Sequence, residues 1–128
     1  MAHETYVQPA SLITLPRNVL TDVLGNPPTN GAGIPLGGAT GRGTDALGVT
    51  ILETGGVNAI DHVYLYVSAN DNTHYVQYGA DLGPIPASGS LPVDLSNIPY
   101  GWVRVVLESV SLGGATARVA ARGVRVGV

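Results

Sequence analysis

The chain has 128 residues, enough for one domain that buries a single core without disulfides or metal. Its charged fraction is 12%, about half the ~25% usual for globular domains, and its six basic residues are all arginine, scattered under a net charge of −3. That excludes a phosphate-tracking stripe, so no nucleic-acid partner is expected, and the absence of Cys excludes disulfide scaffolds, thiol catalysis and cysteine-ligated zinc.

The apolar supply is Val, Leu, Ile and Ala with six Tyr and one Trp and no Phe, a composition suited to pleated surfaces. Eighteen Gly and nine Pro are too many for a helical bundle. So few charges fit either a surface partly covered by another subunit or a merely polar one of Ser, Thr and Asn. Residues 1–5 lack the basic and apolar regions of a secretion signal, and no stretch approaches the ~18 apolar residues of a membrane span. Neither a signal peptide nor a membrane partner is expected.

Residues 1–24 read as an N-terminal arm with apolar positions at Tyr6, Val7, Leu12, Ile13, Leu15, Val19, Leu20, Val23 and Leu24. Pro16 either opens a short helix or parts two strands, 11–15 and 18–24; the β-branched content favours strands. Residues 25–48 carry eight glycines with Pro27, Pro28 and Pro35, a poor core former that reads as a tether of roughly 80 Å when extended. Within it, residues 37–43 resemble a nucleotide cradle but lack the Gly-Lys-Ser/Thr and the helix such a loop needs, so no nucleotide is expected.

Residues 49–128 read as the β-domain. Leu47, Val49, Ile51 and Glu53 alternate with Gly48, Thr50, Leu52 and Thr54, and Gly55-Gly56 ends the run. Val63, Leu65 and Val67 alternate with His62, Tyr64 and Tyr66, and residues 70–73 form a turn from which residues 74–79 return as a second strand. A proline-broken connection follows, with a short edge strand at 93–95. Residues 102–112 and 115–128 read as a hairpin around Gly113-Gly114. Keeping its apolar face continuous requires an odd loop or a bulge, which sets Val103, Val105 and Leu107 beside Ala117, Val119 and Ala121. Six to eight strands with closely spaced turns predict an all-β chain, a small β-sandwich or barrel with an extended N-terminal arm and a Gly/Pro-rich tether.

Candidate chemistry is sparse. His62 and His74 flank one hairpin, but two histidines without a third ligand do not make a metal site. The Asn70-Asp71-Asn72 run lacks the Gly and Glu of an EF-hand and reads as a turn. No Gly-x-Ser-x-Gly elbow is present, and Glu108 reads as an ion-pair partner of Arg104. No catalytic residue, metal or cofactor is expected, and no enzyme. Tyr64, Tyr66, Tyr75 and Tyr78 form a possible oligomer or ligand face, able to meet protein or to stack on sugar.

In its short chain without a signal, its flexible N-terminal stretch and its Val/Ala/Gly-rich β-domain, the layout resembles the small virion proteins of tailed phages, capsid decoration (cement) proteins in particular. The resemblance implies a non-enzymatic subunit, made in the host cytoplasm and resident in the virion. It implies a homo-oligomer, a trimer, that binds the major capsid protein or another virion protein. Tyr6, Val7, Leu12, Ile13 and Leu15 would then be the arm laid against the shell, by strand addition. A tail or adaptor subunit and a carbohydrate-binding β-domain are the alternatives.

Overall fold

The computed structural model describes residues 2–25, 33–36, 44–96 and 98–126, which are all-β. Among the described residues nine strands follow in order: β1 (Ala2–Leu15), β2 (Thr21–Asp22), β3 (Ile34–Pro35), β4 (Ala46–Glu53), β5 (His62–Ser68), β6 (Val76–Gln77), β7 (Ser90–Ser96), β8 (Trp102–Glu108) and β9 (Ala115–Val126). They form two antiparallel sheets packed as a small sandwich. One sheet runs β1-β9-β4-β7. The other runs β2-β8-β5-β6, with β3 beside β2 on the same edge of β8.

Period-2 alternation explains both sheets. On β4 the residues Leu47, Val49 and Ile51 are buried, while Gly48, Thr50 and Leu52 face out. On β5 and β8, Val63, Leu65, Val67, Val103, Val105 and Leu107 line the inside. Ala117, Val119 and Ala121 of β9 oppose them in the same core, and their small size lets the sheets approach.

The N-terminal stretch is not a free arm. β1 pairs along its length with β9, from Ala2 opposite Val126 to Leu15 opposite Ala115, and Ile13, Leu15, Val23 and Leu24 belong to the core. Gln8 helps hold it there: its Nε2 donates to the Val23 carbonyl at 2.8 Å, and its Oε1 accepts the Tyr6 hydroxyl at 2.6 Å. The Gly25 N–H in turn donates to the Tyr6 hydroxyl at 2.9 Å. The physical reason is that Ile13 and Leu15 alternate in phase with the inner face of β9, so pairing buries them at once. Pro9 lies in the register shift between Gln8 and Ser11 of this edge strand, where a missing N–H is tolerated.

The expected tether is only partly described. Residues 26–32 and 37–43, including the glycine-rich string, lie outside the described residues. Ile34 and Leu36 between them are core residues, and Ile34–Pro35 pairs with β8.

The expected last hairpin does not form. β8 lies in one sheet and β9 in the other, so Gly113-Gly114 turns the chain across the sandwich. Val103, Val105 and Leu107 share one core with Ala117, Val119 and Ala121, but from opposite sheets. Each strand finds partners on both edges elsewhere, β8 with β5 and β2/β3, and β9 with β1 and β4, which leaves neither an edge for the other. Gly114 marks the crossing: its φ is +69°, and a Cβ there would run into the Leu15 carbonyl oxygen.

Candidate functional site

Two outward surfaces hold the residues singled out from the sequence. The first is the outer face of the β2-β8-β5-β6 sheet. Because Val63, Leu65 and Val67 point inward, His62, Tyr64 and Tyr66 point outward as a ladder on β5, opposite Glu108, Val106 and Arg104 of β8. His62 stacks on Tyr64 at 5.5 Å between ring centroids, and Tyr64 meets Tyr66 edge to face at 6.4 Å.

The hairpin turn brings Tyr75 to the same face. Asp71 makes that turn, accepting the N–H groups of Thr73 and His74 and the Ser68 hydroxyl. Those bonds, the His74 amide first, hold its pKa well below the usual carboxylate range. The Tyr75 hydroxyl donates to Asn72, and the Arg104 guanidinium lies 5.3 Å from the Tyr75 ring centroid. Arg104 donates from Nε to Asp22 Oδ2 at 2.7 Å, and the Asp22 side chain is only 4% exposed. This is the ion pair of Arg104; Glu108 lies instead near His62, 4.0 Å away. Leu20, Asp22, Tyr66, Tyr75, Arg104 and Val106 border a trough of about 310 Å3.

Of the four tyrosines expected on one face, three are there. Tyr78 is elsewhere: three residues from Tyr75 it falls on the opposite phase of the strand, and it packs edge to face on Tyr100 at 5.6 Å. His62 and His74 do not converge. His62 Nδ1 bonds Asp81 Oδ2 at 2.6 Å, whereas His74 Nδ1 bonds Asp71 Oδ2 at 2.9 Å. The Asp81 bond raises the His62 pKa against the opposing effect of burial. Burial would push Asp81 up, but the Val63 and Gly83 N–H groups together with His62 bring it below its usual range. Among the described residues no three His, Asp or Glu side chains form a metal-binding group, and no helix is long and apolar enough to cross a membrane.

The second surface is the outer face of the β1-β9-β4-β7 sheet. The residues expected to grip a partner divide here. Val7 and Leu12 lie on this face opposite Arg122 and Arg118, 55% and 60% exposed, whereas Ile13 and Leu15 are buried in their own core and Tyr6 packs against it. At the centre, Gly48, Thr50, Pro92 and Ala120 border a shallow depression of about 530 Å3, with Arg122 and Asp94 at its sides. A Cβ added at Gly48 would meet nothing within 4 Å. Arg122 is paired with Glu4 at 3.0 Å and Arg118 stands opposite Leu52, so charge flanks an uncharged middle row of Ala120, Thr50 and Pro92.

One buried carboxylate escaped the sequence reading as a structural device. Glu53 ends β4 on the inward phase, 3% exposed. Its Oε1 accepts the N–H groups of Gly56 at 2.7 Å and Ser88 at 3.0 Å, and its Oε2 those of Gly55 at 2.8 Å and Thr116 at 3.3 Å. Burial pushes its pKa up, but these four donors outweigh burial and hold it below the usual range. The only sequence signal was a carboxylate falling on the apolar phase of a strand.

Compared with protein-family models, with curated proteins and with solved structures, the chain matches none of them.

Proposed function

We propose that this chain is a non-enzymatic structural subunit of a virion surface, of the capsid decoration type, which works by laying the outer face of its β1-β9-β4-β7 sheet against neighbouring protein. One observation carries the reading: the middle row of this face, Ala120, Thr50 and Pro92, is uncharged and hollowed beside Gly48, with Val7, Leu12 and Leu52 exposed around it. Such a face is costly to leave in water and is built for sheet-on-protein packing. The 12% charge of the whole chain supports the same conclusion. Attachment therefore belongs to the face and not to a reaching arm, since β1 is part of the sheet. Several copies joined in a homo-oligomer, a trimer in this reading, would add weak contacts into firm binding.

Light scattering on the purified chain tests this, alone and mixed with empty phage shells. The chain should run as an oligomer and travel with shells. Gly48→Arg, which places a long charged side chain over the depression without a clash at Cβ, should remain folded but run as a monomer and leave the shells. A wild-type monomer that ignores shells, or a Gly48→Arg variant that assembles like wild type, would overturn the proposal.

A further inference from the structure

The trough on the opposite sheet has no part in that reading and carries its own chemistry. Its floor is the Asp22–Arg104 ion pair, joined at 2.7 Å beside buried Val106. Its walls are Tyr66, Tyr75 and the exposed side chain of Leu20. We propose that it binds a neutral pyranose unit of a glycan.

Three features select that ligand class. First, the charges cancel within the site. An anion drawn to Arg104 would meet the Asp22 carboxylate, and a cation drawn to Asp22 would meet the guanidinium, so a neutral ligand is favoured. Second, the partly exposed guanidinium offers N–H donors to the oxygens of a sugar ring. Arg104 uses Nε on Asp22 and makes no other hydrogen bond among the described residues, so its terminal N–H groups can donate to sugar oxygens. Asp22, whose side chain is only 4% exposed, holds the guanidinium in place and is itself hardly open to a ligand.

Third, the tyrosines supply flat apolar surface for the C–H face of the ring. Tyr66 and Tyr75 both line the trough and both are partly exposed. Arg104 sits against the Tyr75 ring and Tyr75 is tied to Asn72, which holds the wall in place before a ligand arrives. At about 310 Å3 the trough lies at the low end of small-molecule sites, the scale of a sugar unit and not of a long chain.

Saturation-transfer NMR tests the site with three probes at millimolar concentration: methyl β-glucoside, methyl β-galactoside and methyl α-mannoside, with free sialic acid as the anionic comparison. At least one neutral glycoside should receive saturation on its ring protons, more strongly than sialic acid. Tyr66→Ala should weaken the effect by roughly two- to tenfold, the scale of one aromatic contact. Leu20→Arg, at an exposed rim position, should block the trough while leaving the ion pair and the fold intact, and it decides the matter should Tyr66→Ala unfold. Gly48→Arg, on the other sheet, should bind as wild type, which separates this proposal from the preceding one. Absence of transfer to all three glycosides, or transfer unchanged by both trough variants, would refute it.

Discussion

Replacing Glu53 by Gln keeps the size of the side chain and removes its charge. In the wild type each carboxylate oxygen accepts two backbone N–H groups, tying the 54–56 turn, the 86–89 turn and the start of β9 to the end of β4. A glutamine keeps one oxygen and turns an NH2 toward the other two donors, so two bonds are lost and two N–H groups face a donor. An unsatisfied buried donor costs ~1–3 kcal/mol. Because Gly55, Gly56 and Ser88 lie at the surface where water can help, the lower end applies, for a total of about 2 kcal/mol. At roughly 4 °C per kcal/mol for a domain of this size, Tm should fall by about 8 °C. The folded pKa of Glu53 is depressed, so its contribution is present above the unfolded carboxylate pKa and is lost as pH falls through the folded value. Urea melts of both proteins at pH 7 and at successively lower pH should therefore show a gap that closes in acid. A variant within 0.5 kcal/mol of wild type at pH 7, on the scale of a neutral surface change, would refute this account of Glu53.

Leu15→Ala should cost ~2–5 kcal/mol in denaturant melts, because Leu15 is fully buried, whereas Leu12→Ala at 60% exposure should change stability by less than about 0.5 kcal/mol. Equal effects would mean that β1 is not part of the core. Gly114→Ala should destabilise by roughly 2 kcal/mol or more, combining a left-handed backbone with a clash on the Leu15 carbonyl, as read from thermal melts. His62 should titrate above 6.5 by NMR and move back down in Asp81→Asn. Its raised folded pKa stabilises the protein fully below the unfolded value, and that contribution disappears as pH rises through the folded one.

Much of the fold was legible because burial follows a local period. The inward phase of residues 47–53, Glu53 included, and the outward ladder of His62, Tyr64 and Tyr66 could both be read directly. So could the turn at Asp71 and the edge position of residues 93–95, now part of β7. What stayed hidden was partnership across long separations. β1 looked like a loose arm because the strand that covers it comes at the far end of the sequence. Gly113-Gly114 announced a reversal, but a local signal cannot say into which sheet the chain returns. The trough required Asp22 to meet Arg104, 82 residues away, and nothing near either one announces the pair. Tyr78 leaves the face by parity: three residues from Tyr75, it takes the opposite phase of the strand although its N–H still donates to the Leu65 carbonyl at 2.7 Å.

Pairing between the first strand and the last also orders events during synthesis. Some 110 residues separate β1 from β9, so at ribosomal rates of ~5–20 residues per second β1 waits roughly 5–20 s for its partner to emerge. Until then Ile13 and Leu15 stay open to solvent and to other nascent chains. Closure of the sandwich must be a late and cooperative step, completed when the final strand slots between β1 and β4.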